Sequence, residues 1–293
     1  MLKSSDHCDA LLQQQGEPRL RPSHSRPEPS CNVCAMIVRG VRALQRLPGV
    51  LLLALCLAPG GAVAAEALLA VAANFTLPMK SLVAAFERDS GHRIKTSFGG
   101  TGALYAQIHN GAPFDALLAA DDVIPLRLQQ EGLAVAATRF TYAVGKLLLW
   151  SPQADRVDAS GDVLRGDGLT RIAIANPRLA PYGAAAMQTL RAMGLEQALR
   201  DRLVIGENVG QAYRFVASGN VDFGFVAAAQ VMRDGRLVSG SAWAPPASMY
   251  TPLRQDAVLL GAGAVAARAF LDYLRQPQTQ AVLRGFGYET PPH

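Results

Sequence analysis

Beyond residue 65 the chain holds no cysteine and three histidines, His92, His109 and His293. His92 follows Gly91 where a helix turns into a strand, His109 stands near a helix end and His293 is the last residue; all three read as surface residues, not as bases. There is no G-x-S-x-G elbow, no Walker loop and no His pair at metal spacing. The residues that could do chemistry sit instead in four short corners: Ala73-Asn74-Phe75-Thr76, Gly99-Gly100-Thr101-Gly102, Pro181-Tyr182-Gly183 and Asn208-Val209-Gly210. Together they offer backbone N–H groups, an amide, a hydroxyl and a phenol, and no Lys, Arg or His. Uncharged donors at the starts of helices favour an anion, through unpaired N–H groups and aligned peptide dipoles. Gly99–Gly102 taken alone reads equally as a phosphate cradle or as a tight turn into a helix. Asp121-Asp122 reads as a helix cap in preference to an acid–base pair, and Tyr213 and Phe215 around Arg214 read as helix faces, not a base-stacking platform.

The elements that must position these corners alternate. Residues 68–73 form an apolar run suited to a strand buried on both faces. Pro78 then opens a helix with Met79, Leu82, Val83 and Phe86 on one face, closing at Gly91. A strand over 93–98, a helix over 103–110 and a strand over 115–120 follow, and the next helix stops by Gly132. Further strands are expected at 142–150, 171–175, 203–206, 222–226 and 249–260, with helices over 183–193, 210–218 and 264–275. No internal repeat is visible. Strand–helix alternation with short connections predicts an α/β protein with mainly parallel sheets. In such sheets ligands sit beyond the carboxyl ends of strands, where the helices begin.

Composition narrows the class further. The 293 residues are 50% hydrophobic and 17% charged, which excludes a disordered tail or a small disulfide scaffold. The net charge of +5 is concentrated early: 7 of the 28 Lys+Arg and 4 of the 23 Asp+Glu precede residue 65, leaving 21 basic against 19 acidic residues. So balanced a chain gives nucleic acid little to bind. Residues 47–58 are a single apolar run behind Arg39, Arg42 and Arg46 and ahead of Pro59-Gly60-Gly61-Ala62-Val63-Ala64, the pattern of a cleavable secretory signal over 36–65 ending near Ala64. At about 1.5 Å per residue the run is too short for a ~30 Å hydrocarbon core. Residues 1–35 are polar, Pro/Ser/Arg-rich and without periodicity, and Met36 is the expected natural start. All four cysteines (Cys8, Cys31, Cys34, Cys56) lie in this leading part; Cys31-x-x-Cys34 is half of a zinc or redox pattern with no second pair. Leu55 argues against lipoprotein processing at Cys56.

From Ala73-Asn-Phe-Thr76 and Thr96-Ser-Phe-Gly-Gly-Thr-Gly102 onward the chain resembles the periplasmic molybdate-binding proteins of ABC transporters. The resemblance continues through Tyr105-Ala-Gln-Ile108, Asn110-Gly-Ala-Pro113, Ala119-Ala-Asp121, Arg139-Phe-Thr-Tyr142, Gly145-Lys146, Ile174-Ala-Asn-Pro177, Ala180-Pro-Tyr-Gly183, Val209-Gly-Gln211 and Asp222-Phe-Gly-Phe-Val226, over about 66–291. It implies a two-lobed type II periplasmic-binding-protein fold whose chain crosses twice, with 66–146 and 232–293 in the first lobe, 147–231 in the second, and the ligand cleft between them. It implies, too, that the oxyanion, molybdate or tungstate, is held by Asn74, Thr101, Tyr182 and the backbone N–H of Val209, with Ala73 and Gly100 beside them. Molybdenum would enter only as molybdate, with no cofactor. The partners implied are a membrane permease and its ATPase, for a monomeric periplasmic protein that binds no nucleic acid. Three positions depart from the family: Ala73 and Gly100 lack the hydroxyl that some members carry, and Ala227 stands where others have Tyr, so that Tyr182 is expected to supply the phenol.

Molybdate is a fully deprotonated dianion near neutral pH, so its site needs donors only. Phosphate keeps a proton, and Glu207 or Asp121 would be the nearest acceptor for it. Sulfate is proton-free as well and could be told apart only by cavity size. Another oxyanion such as sulfate or phosphate therefore stands as the alternative ligand. An enzyme on the same scaffold is the remote one, for want of a nucleophile–base pair.

Overall fold

A computed structural model of the protein describes residues 64–166, 168–169 and 171–290. The leader, the signal run, all four cysteines and His293 lie outside the described residues. The chain runs β1 (Glu66–Ala72), α1 (Thr76–Ser90), β2 (Arg93–Gly99), α2 (Thr101–His109), β3 (Ala116–Leu118), α3 (Val123–Gln130) and β4 (Phe140–Gly145). It continues with β5 (Leu147–Ser151), β6 (Ile172–Ala175), α4 (Pro181–Ala192), α5 (Glu196–Leu199), β7 (Leu203–Gly206), α6 (Val209–Ala217), β8 (Phe223–Ala227) and α7 (Ala228–Val231). A small hairpin of β9 (Met232–Arg233) and β10 (Arg236–Leu237) precedes β11 (Ser241–Trp243), β12 (Leu253–Leu259), α8 (Val265–Leu274) and α9 (Pro277–Gly285).

Two five-stranded sheets result, ordered β2-β1-β3-β12-β4 and β11-β5-β8-β6-β7. Each holds a parallel trio, β2-β1-β3 in one and β7-β6-β8 in the other. The remaining pairings are antiparallel. The sheets are thus mixed, where the alternation had predicted mainly parallel ones. The reason is connectivity. Strands joined by an α-helical crossover run parallel, whereas β5 and β12 arrive from the opposite sheet with no α-helix between, β5 through Lys146 alone and β12 through a segment holding one 3-10 turn, Ala247–Met249.

The first crossing is Lys146, between the last residue of β4 and the first of β5. The stretch 142–150, expected as one strand, is therefore two strands in two sheets. The return crossing lies between Trp243 and Leu253, later than the expected change at 231/232. Three residues of β11 inside the segment assigned to the first lobe pair antiparallel with β5 in the second sheet. So short an edge strand carries too little pattern to read.

Both faces of both sheets are covered. Leu69, Val71 and Phe75 pack with Met79, Leu82 and Phe86 of α1 and with Phe270 and Leu274 of α8. Ala70 and Leu117 pack on the other side with Leu104, Ile108 and Leu128. In the second lobe Leu149, Ile174 and Phe225 face Leu190 of α4, while Leu148, Ala173 and Val226 face Ala212 and Val216 of α6. Each such large side chain contributes roughly 1.5–3 kcal/mol by leaving water. Helix α1 starts two residues before Pro78, which sits harmlessly in its first turn. It stops at Gly91, whose φ of +72° makes the left-handed cap. Helix α9, opened by Pro277, was not anticipated.

Candidate functional site

Four of the parallel strands end on one side, and the helices that follow them begin there. Strand β1 runs into a 3-10 turn over Ala73–Phe75 and then α1; β2 leads into α2, β6 into α4 and β7 into α6. All four corners line one cavity with about 190 Å³ of empty space, mouth included. The first lobe contributes Ala72, Ala73, Asn74, Gly99, Gly100, Thr101 and Ala120, the second Ala180, Pro181, Tyr182, Asn208 and Val209. Every residue expected from the resemblance to hold the ligand or stand beside it, Asn74, Thr101, Tyr182, Val209, Ala73 and Gly100, is in this set. None of the lining residues is charged.

Local structure fixes what each can offer. Thr101 is the first residue of α2 and is buried; its Oγ1 accepts the Ala120 N–H at 3.0 Å, which leaves the hydroxyl proton to be given. Val209 opens α6 behind Asn208, whose Oδ1 caps the Gln211 N–H at 3.1 Å. The N–H groups of Val209 and Gly210 have no partner within the helix. Pro181 opens α4 and has no N–H to give, so Tyr182 carries the first free backbone donor of that helix.

The side chains of Asn74 and Tyr182 are both tied to residues beneath the cavity. The Asn74 amide was expected to face an anion, but both hydrogens of its Nδ2 are engaged, by Gln255 Oε1 and by Tyr288 OH, each at 2.9 Å. Its Oδ1 is buried without a protein partner. The N–H groups of Ala73 and Asn74, at the start of the 3-10 turn, are the donors this corner can turn outward. The Tyr182 hydroxyl accepts from Gln255 Nε2 at 3.1 Å. Burial holds its pKa well above the ordinary phenol value, so it remains a neutral donor.

The carboxylates weighed as acceptors both lie off the cavity. Glu207 is exposed. Asp121 caps α3, its Oδ1 accepting the Ile124 N–H at 2.8 Å, and burial lifts its pKa to about 6. Asp122, offered as the other possible cap, makes an ion pair with Arg254 at 3.7 Å. Ala227, at the position where a Tyr is found in other members, gives its N–H to Gln230 Oε1 and does not line the cavity. His92 Nδ1 accepts the Ala65 N–H, and His109 lies exposed beside Glu131. No cluster of three or more metal-ligating side chains occurs among the described residues.

The lobes meet over the cavity. Gly102 N–H donates to Leu179 O at 2.9 Å across the boundary, and Gly100 lies against Leu179 O and the Asn208 side chain. Gln255, Tyr142 and Tyr288 are the residues that were not picked out beforehand as part of the site; Asn208 stood in one of the four corners but not in the expected ligand set. The first three lie on β12, on β4 and near the C-terminus, far in sequence from any corner.

The same chain from residue 67 to 289 matches the family model of bacterial extracellular solute-binding proteins. The molybdate-binding protein ModA of Azotobacter vinelandii is 52% identical over 227 residues, covering 77% of this chain and 90% of that protein. ModA of Rhodobacter capsulatus is 47% identical over 232 residues, covering 78% and 90%. The solved structure of an Azotobacter vinelandii periplasmic molybdate-binding protein superposes with a TM-score of 0.75 at 41% identity, covering 78% of this chain and all of that one. Two mixed sheets joined by two crossings, with neutral helix starts around one cavity and relatives this near, place the chain in the bacterial extracellular solute-binding family, among the molybdate-binding ModA proteins.

Proposed function

We propose that the protein captures molybdate, and tungstate with it, in the cavity between its lobes, in the periplasm, and presents it to a membrane permease driven by an ATPase. The observation that carries this reading is the lining: donors from four helix starts, a hydroxyl and a phenol, with no acceptor carboxylate and no cationic side chain. A dianion without a counter-charge is stable in such a site only if many short hydrogen bonds replace its water. The ligand residues in this reading are Thr101 through its hydroxyl, Asn74, Val209 and Tyr182 through their N–H groups with the Tyr182 phenol behind, and Ala73 and Gly100 through backbone alone. No bond is made or broken and no cofactor takes part. The ligand selects the closed arrangement of the lobes from an open one. The chain acts as a monomer of two lobes and reaches the periplasm through a cleaved signal ending near Ala64.

Calorimetric titration with molybdate, tungstate, sulfate and phosphate tests the reading. Tight binding of the first two with silence from the others is the expected result. Binding of sulfate alone would move the ligand while keeping the receptor. Binding of phosphate alone would overturn the molybdate reading, since the cavity lining holds no carboxylate to accept its proton.

A further inference from the structure

The polar atoms beneath the cavity converge on one side chain that is not part of its lining. Gln255 is fully buried on β12, at the point where the register of β12 against β4 shifts. Its Oε1 accepts from Asn74 Nδ2 at 2.9 Å and from Tyr142 OH at 3.0 Å, while its Nε2 donates to Tyr182 OH at 3.1 Å. Asn74 and Tyr142 belong to the first lobe and Tyr182 to the second. Gly145, the last residue before the first crossing, lies against the same pair: a Cβ there would fall onto Tyr182 Oη and Gln255 Nε2. One carboxamide therefore spans both lobes beside the crossing, using its acceptor end on one and its donor end on the other.

We propose that Gln255 is a positioning residue of the binding site. Its amide couples closure of the lobes to the orientation of Asn74 and the start of α4, without touching the ligand. This rests on the oxyanion-binding reading above. The Gln255–Tyr182 bond joins the lobes, so it is made as α4 comes onto the first lobe and stabilises the closed form over the open one. Few neutral side chains can do both halves of the task, because an acceptor must meet Asn74 while a donor meets Tyr182. An apolar residue of similar size would leave the buried Asn74 amide and Tyr182 hydroxyl each short of a partner, while Tyr142 would keep the Ala119 carbonyl at 2.9 Å. A glutamate would offer acceptors at both ends and set a negative charge beneath a dianion.

A double-mutant cycle on the purified protein, read by calorimetric titration with molybdate, tests the coupling. Gln255→Met and Tyr182→Phe are each expected to weaken binding about tenfold. If Gln255 works through Tyr182, combining them should cost little more than either alone, well short of the roughly hundredfold loss that independent effects would multiply to. The size-preserving Gln255→Glu guards against a folding failure of the Met variant and should bind molybdate at least tenfold more weakly than the unaltered protein. Multiplying losses in the cycle, or unchanged affinity in Gln255→Glu, overturn the inference while leaving the oxyanion reading intact. Silence of the unaltered protein toward molybdate overturns that reading, and this inference with it.

Discussion

Gly102 and Leu179, one on each lobe, are joined by a 2.9 Å backbone hydrogen bond from the Gly102 N–H to the Leu179 carbonyl. The contact has no room to spare. A Cβ on Gly102 would stand 3.1 Å from that carbonyl oxygen and 3.2 Å from Leu179 Cα. The second residue of α2 thus sets how closely the second lobe can approach.

Gly102→Ala should accordingly act on closure and not on folding. Alanine removes a backbone-entropy cost of roughly 0.5–1 kcal/mol inside a helix. The ligand-free protein should therefore melt at the same or a higher temperature, while molybdate binds more weakly and dissociates faster. Paired melting curves with and without molybdate check this. Unchanged affinity would mean that the two backbones part easily.

Thr101→Val keeps the shape of the side chain and removes the hydroxyl. The buried Ala120 N–H then loses its acceptor as the ligand loses a donor. Molybdate binding should weaken by about 1–3 kcal/mol, with Thr101→Ser restoring most of it. Titration of the two variants side by side separates the hydroxyl from the methyl group.

Asp121 predicts a pH dependence of stability. Burial, aided by the neighbouring carboxylates of Asp122 and Asp256, raises its pKa from 3.8 to about 6 against the pull of the Ile124 N–H. An acid whose pKa is raised by folding holds its proton more tightly in the folded chain. Its contribution therefore favours the fold at low pH and is lost as pH rises from about 4 through 6. Asp121→Asn keeps the oxygen that caps Ile124 and removes the charge. The variant should be more stable than the unaltered protein at pH 7, with the advantage vanishing near pH 4. Thermal melts across that range decide it; a difference that does not change with pH would remove Asp121 as its source.

Gly145→Ala makes the opposite test to Gly102→Ala. The added methyl would overlap Tyr182 Oη and Gln255 Nε2, inside the hydrogen-bonded cluster beside the crossing. Overpacking of this kind costs roughly 1–3 kcal/mol, and here melting temperature and molybdate affinity should fall together. A variant that loses neither would show that the Tyr182 and Gln255 side chains move aside by about an ångström without loss.

Much of the site was legible because its signals are local. Gly91, Pro181 and Asn208 punctuate helices by their own backbone and side-chain chemistry, and alternation of apolar runs places a strand before each corner. From those alone it follows that neutral donors stand at helix starts and that nothing nearby resembles a catalytic base. Which corners face each other was decided only by the fold. So was the antiparallel course of β5 and β12, which depends on the chain changing sheets at Lys146 and again after Trp243. The engagement of the Asn74 amide inside the protein belongs to the same class, since Gln255 and Tyr288 lie 181 and 214 residues away along the chain. Residue type and spacing record what a segment does to its own backbone. They do not record which distant side chain will take its last hydrogen, because that partner is chosen when two lobes, each with its own core, come to share one buried set of polar atoms.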